Sequence, residues 1–182
     1  MNWLDTILVL FAAFLAVFWE AAFQGVRYLL GAQIDLLPPL MVYASLCAGL
    51  NTALLLAVCG GLWFDSLSAN PLGISVLPLV VIGVAIYASR ELILRNQTFA
   101  RVVIGLAASI AVPLITLMLL LTTGHKPLLG WGTLWQVLVM GCGGALATPI
   151  FFELFGWLHH KLGRAQASEL SFRPDREIRR GK

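Results

Sequence analysis

The feature that most constrains this chain is a series of apolar stretches of the length that crosses a lipid bilayer. A transmembrane helix needs about 20 consecutive, mostly apolar residues. Five apolar stretches follow one another, at residues 4–23, 36–64, 74–89, 102–122 and 133–158. They leave the chain 59% hydrophobic and 12% charged, whereas a soluble domain is about one quarter charged. The sequence therefore predicts an integral membrane protein, folded as an all-α bundle of transmembrane helices.

The second stretch, residues 36–64, decides the number of spans. As a single helix it would measure about 43 Å, against an apolar bilayer core of about 30 Å. Two short helices that turn near residues 49–52 fit the bilayer better than one steeply tilted helix. Pro38 and Pro39 suit the start of the first of them, because proline is tolerated where a helix begins. Six spans are therefore favoured over five.

Basic residues indicate the orientation, since Lys and Arg are concentrated on the cytoplasmic side of membrane proteins. The loop after residue 89 carries Arg90, Arg95 and Arg101. We predict a transmembrane domain over residues 1–160 and a basic cytoplasmic tail over residues 161–182. The tail's distal arginines are Arg173, Arg176, Arg179 and Arg180. They either anchor the topology or contact anionic lipid or a cytoplasmic partner.

Two spans separate the two basic segments, so both can be cytoplasmic. The loops at residues 65–73 and 123–132 then lie outside the cell. Six spans place the N-terminus inside and five place it outside.

Small residues recur every four positions along the second half of residues 36–64. The stripe consists of Gly49, Ala53, Ala57 and Gly61, and it ends in the carboxyl group of Asp65. Small residues let two helix backbones approach closely, and such packing drives much of helix association in lipid. The stripe packs either within this bundle or against the helix of a partner protein. A Gly61→Leu substitution should therefore disrupt folding or partner association.

Asp65 opens a polar loop, and a carboxylate at a helix C-terminus needs water, a donor or a cation nearby. One interpretation is an aspartate that faces water at the membrane surface, and the other is a carboxylate that holds the following loop or meets a partner. The loop contains Ser66, Ser68, Asn70, Pro71 and Gly73. Asn70 is predicted to cap the next helix and Pro71 to be its first residue.

The remaining polar residues suggest structural roles. Glu20 is interpreted as interfacial, and Glu153 as a snorkelling partner of Lys161 near the inner surface. Prolines inside predicted spans should cause kinks, at Pro78, Pro113 and Pro149. The sequence has no His-Glu-x-x-His run and no phosphate-binding glycine loop, so we expect no enzyme, no cofactor and no metal.

The segment from Gly60 to Gly73 resembles the MreD family of bacterial rod-shape-determining membrane proteins. The family pattern has glycines four apart before an aspartate, then a polar turn and Pro-Leu-Gly. Here Gly61-Leu62, Asp65 and Pro71-Leu72-Gly73 match it, while Ala57 stands where the family more often has glycine. Two further segments look like the start of the family's second hydrophobic segment and its last span, namely Asp35-Leu36-Leu37 and Thr148-Pro149-Ile150-Phe151-Phe152.

This resemblance implies a non-enzymatic subunit of the cell-elongation machinery in the bacterial inner membrane. The partners it implies are MreC, the actin-like MreB, and the RodA glycosyltransferase with its penicillin-binding transpeptidase. Membrane lipid is the other expected contact, and no nucleic acid is expected.

The family is similar in fold to the substrate-binding subunits of energy-coupling-factor vitamin or metal transporters, and such a subunit is the alternative. Ala12-x-x-x-Ala16 looks like the motif by which those subunits dock their coupling partner. The best ligand-binding candidates near the outer surface are Asn70, His125, Trp131 and Trp135.

Overall fold

The computed structural model describes residues 3–22, 31–68, 71–90, 98–123 and 130–170, with side chains described as far as Lys161. These residues form six helices and no strands. The helices are α1 (Trp3–Ala22), α2 (Leu37–Tyr43, continued by a π-helical turn at Ala44–Ala48), α3 (Leu50–Leu67), α4 (Val76–Ala88), α5 (Thr98–Thr122) and α6 (Trp131–Leu170). The predicted all-α membrane bundle is thus confirmed.

Four helices are long and apolar enough to cross a bilayer, namely α1, α3, α5 and the part of α6 at Trp131–Lys161. Helix α2 with its π-helical turn and helix α4 are shorter. At 1.5 Å per residue they measure about 18 and about 20 Å, less than the apolar core of about 30 Å. The described residues thus contain six helices, of which four are candidate spans, and the predicted number of six spans stays a prediction.

The stretch at residues 36–64 breaks at Gly49, as its length predicted. Gly49 has a φ of +99°, a left-handed conformation that a residue with a Cβ adopts only at a cost. Its N–H donates to the carbonyl of Ala44 at 3.0 Å, and its carbonyl accepts from the N–H of Ala53 at 3.0 Å. Gly49 therefore closes the π-helical turn and caps the start of α3.

Helix α2 lies in the core of the bundle. It contacts α1, α3, α4 and α5, and all seven of its residues are buried. A helix in the core has other helices on every side. A short helix whose side chains are apolar on all faces suits this position, because none of its faces needs contact with water. Pro38 and Pro39 occupy its first turn, as expected.

The intrahelical prolines divide into two groups. Pro113 and Pro149 lie inside α5 and α6. Pro78, by contrast, is the third residue of α4, because that helix begins only at Val76. The predicted kink at Pro78 is therefore wrong, since proline in a first turn removes no intrahelical hydrogen bond.

The chain divides into two compact units, Met1–Phe151 and Phe152–Lys182. The division falls within α6, which extends to Leu170 and so continues past the predicted domain boundary at residue 160. In the second unit Glu153 and Trp157 are exposed, and the Lys161 ammonium lies 4.0 Å from the centroid of the Trp157 ring. The predicted tail residues Arg173, Arg176, Arg179 and Arg180 lie outside the described residues.

Candidate functional site

The candidate site is built around Asp65, in the last turn of α3. Its side chain is only 1% exposed. Its Oδ2 atom accepts hydrogen bonds from the backbone N–H groups of Gly73 at 2.8 Å and Ser75 at 3.1 Å. Asp65 thus does not face water. It holds the far end of the loop that follows it, as in the second of the two interpretations.

Gly61 brings α3 against the start of α4, one helical turn before Asp65. A Cβ atom added at Gly61 would lie 2.9 Å from Val76 Cγ2 and 3.0 Å from the Val76 Cα and N atoms. Two of these three neighbours are backbone atoms, which cannot rotate away. Close approach at Gly61 therefore lets the Asp65 carboxyl group reach the N–H groups just before α4.

The predicted capping of this helix by Asn70 and Pro71 is wrong. Helix α4 begins at Val76, and Ser75 is its N-cap residue without a capping bond from its own side chain. Pro71 lies in the turn before it, and the Ile74 N–H donates to the Pro71 carbonyl at 3.3 Å. The cap comes instead from Asp65, ten residues earlier in the chain, and Gly73 permits the turn with a φ of +89°. Asn70 itself lies outside the described residues.

The small-residue stripe faces the interior of the bundle. Ala53 and Ala57 have no exposed surface, and Gly61 and Asp65 are also buried. Helix α3 packs against α1 and α4. Of the two interpretations, the structure therefore gives internal packing, and the partner-facing alternative is wrong. Gly49 is not on the helical face, because it lies at the break before α3.

The loop presents an exposed surface above this buried anchor. Leu67 is 58% exposed and Leu72 is 72% exposed. Ser66 and Pro71 are also exposed. Ser66 donates from its hydroxyl to the Trp63 carbonyl at 2.8 Å, while the Ser68 N–H donates to the carbonyls of Phe64 and Asp65. The two serines thus donate hydrogen bonds to carbonyl groups at the end of α3. Leu67 and Leu72 are the large apolar side chains exposed on the described part of this surface.

Glu20 holds a second loop, which the sequence did not reveal. Its Oε1 atom accepts a hydrogen bond of 2.6 Å from the N–H of Leu36, just before α2. Asp35, which is buried, accepts from the Leu37 N–H at 2.9 Å. Glu20 is therefore turned toward the start of α2, and its predicted interfacial depth stays a prediction. The signal available in the sequence was an acidic residue at the end of one span and another just before the next.

One polar contact and one close-packed contact join pairs of long helices. The hydroxyls of Thr6 and Thr52 lie 2.9 Å apart and are buried between α1 and α3. Helices α5 and α6 meet through small residues, because a Cβ at Gly105 would overlap Thr148 and a Cβ at Gly144 would overlap Ser109. The part of α6 that carries Gly144 and Thr148 thus packs against α5.

The polar residues do not assemble into a recognisable catalytic or metal centre in the part of the chain that the structure describes. No three His, Cys, Asp or Glu residues among them lie close enough to hold a metal ion. The chemistry of the Asp65 site is that of a hydrogen-bonded anchor for a loop.

Comparison with known proteins adds no relative. No family model matches the chain, and no curated protein and no solved structure is similar to it.

Proposed function

We propose that the chain is a non-enzymatic, multi-pass membrane scaffold of the MreD type. It would act in the bacterial cell membrane with its C-terminus in the cytoplasm. There it would join partner membrane proteins of the cell-elongation machinery during peptidoglycan synthesis. The partners implied are MreC, MreB, and RodA with its penicillin-binding transpeptidase.

One observation supports this proposal above the others. The residues that carry the resemblance form a single local structure, because Asp65 binds the backbone of Gly73 and Ser75 while Gly61 packs on Val76. This anchor holds the end of the loop at Gly73 and Ser75 in place without a partner. Binding to a surface that is already held in place costs less conformational entropy than binding to a loose one, which suits a scaffold.

The contact surface we propose is the exposed part of this loop. The small-residue stripe is buried inside the bundle, whereas Leu67 and Leu72 are large exposed apolar side chains in the described part of this surface. MreC, as a single-pass partner, could meet this surface outside the membrane.

Site-specific crosslinking tests this surface. A photoreactive amino acid at Leu72 should give an adduct with MreC in living cells. The matched control is Leu114 on α5, which is 44% exposed on an apolar helix and should give no such adduct. Equal MreC adducts from both positions, or none from Leu72, would count against the proposed surface.

The alternative, a substrate-binding subunit of a vitamin or metal transporter, has weaker support. Its docking motif would need Ala12 and Ala16 together on an open face. Ala16 is only 7% exposed and lies on the buried face of α1. Trp131 and Trp135 are exposed, and His125 lies outside the described residues.

A further inference from the structure

A groove lies on the surface of α6, around Trp157. Its volume is about 380 Å³, and it is lined by Gly156, Trp157, His160 and Lys161. These residues are all exposed. Gly156 makes the space, since no atom lies within 4 Å of the position that its Cβ would occupy.

The sequence places this groove at the end of an apolar stretch. The stretch at residues 133–158 ends at Leu158, and the polar residues His159, His160 and Lys161 follow it. Tryptophan is enriched at this level because its ring is apolar and its N–H is polar, and lysine extends its ammonium group toward the headgroups.

The side chains of the groove combine a cation with an aromatic wall. The Lys161 Nζ atom lies 4.0 Å from the centroid of the Trp157 ring, so the ring face helps to position the ammonium group. Its N–H donors remain able to bind an anion. His160 follows Gly156 by one helical turn, and an imidazole carries at least one N–H donor in either protonation state.

We propose that this groove binds the headgroup of an anionic phospholipid. Lys161 and His160 donate hydrogen bonds to its phosphate, and Trp157 covers the glycerol beneath it. A lipid fits better than a soluble anion because the groove opens at the end of an apolar span, where the acyl chains can lie along α6. The site is independent of the proposed scaffold function.

The test counts the lipids retained by the purified full-length protein in native mass spectrometry. Detergent-solubilised protein is mixed with phosphatidylglycerol or with phosphatidylcholine. Wild type should retain one phosphatidylglycerol more tightly than any phosphatidylcholine. Lys161→Gln should weaken that binding about fivefold, the effect of one basic residue near an anionic lipid.

Two further variants distinguish binding of the lipid in this groove from non-specific attraction between basic residues and an anionic lipid. Gly156→Leu fills the groove without changing the charge, and it should also lose the lipid. Arg90→Gln removes a cation elsewhere in the chain, whose Cζ atom lies 4.3 Å from the centroid of the Tyr87 ring. This variant should retain the lipid. Circular dichroism checks that each variant keeps its helices.

Three results would overturn the proposal. The first is a Gly156→Leu protein that retains the lipid. The second is equal loss from Arg90→Gln and Lys161→Gln. The third is displacement of phosphatidylglycerol by millimolar inorganic phosphate, which would assign the groove to a free anion.

Discussion

A carboxyl group inside an apolar bundle is costly unless its oxygens accept hydrogen bonds. The Oδ2 atom of Asp65 meets this condition through the N–H groups of Gly73 and Ser75, whereas its buried Oδ1 atom has no hydrogen-bond partner among the described residues. Both N–H groups lie just before α4, so no carbonyl of that helix accepts from them. The Oδ2 atom and these two N–H groups therefore satisfy each other.

Replacing Asp65 by alanine should destabilise the protein by about 2–3 kcal/mol, since two N–H groups lose their acceptor. Asp65→Asn keeps one carbonyl oxygen and should cost less than half as much. Thermal unfolding in detergent measures both. Equal stability of the alanine variant and the wild type would show that the loop does not depend on this anchor.

Gly61 can be tested against its neighbour Gly60. A Cβ at Gly61 meets the Val76 backbone, whereas a Cβ at Gly60 meets the Leu37 side chain, with Cδ2 at 3.1 Å. Because a side chain can move and the backbone cannot, Gly61→Ala should lower stability by about 1–3 kcal/mol and Gly60→Ala by less. A larger loss from Gly60→Ala in the same unfolding measurement would contradict this packing.

At the scale of the helices, α5 and α6 approach each other through Gly105 and Ser109 on one side and Gly144 and Thr148 on the other. All four are buried. The Thr148 hydroxyl donates to the Gly144 carbonyl of its own helix at 2.8 Å, so it needs no partner on α5. The contact is therefore one of shape, as is common between helices in lipid.

A pair of substitutions tests this contact. Gly144→Ala should destabilise the protein by about 1–3 kcal/mol, because the new methyl group overlaps Ser109. Adding Ser109→Gly removes the overlap and should restore part of the loss, giving a coupling of about 0.5–3 kcal/mol. Strictly additive effects in a double-mutant cycle would mean that the two residues do not touch.

The sequence predicted the helices well because their causes are local. The length of each apolar stretch locates a span. Residues 36–64 are too long to cross the bilayer as one helix, and this predicts the break that occurs at Gly49. The same pattern could not say which helix covers the small-residue stripe. A face that permits close packing has the same composition whether α4 or a partner lies against it.

The contacts that the sequence did not reveal at the scale of single residues join positions that lie far apart in the chain. Asn70 and Pro71 have the local properties of a helix start, but Asp65 provides the cap from the preceding helix. Glu20 similarly reaches Leu36, sixteen residues away. Neither contact follows from periodicity, because both depend on how the helices pack.

At the scale of the whole molecule, the described helices form a packed bundle in which Asp65 holds the Gly73 and Ser75 end of one loop. The buried small residues, the core helix α2 and the Asp65 anchor are internal. The exposed apolar side chains of the described residues lie on the long helices and beside this loop, at Leu67 and Leu72. This distribution agrees with the proposed scaffold function.

The most direct measurement is purification of the tagged protein from gently solubilised membranes, with mass spectrometry of the proteins that accompany it. The scaffold account predicts recovery of MreC and of RodA with its transpeptidase, and a reduced yield of them from a Leu67→Ser, Leu72→Ser variant that still folds. Recovery of paired cytoplasmic ATPases with a coupling membrane protein would contradict it and identify a transporter subunit instead.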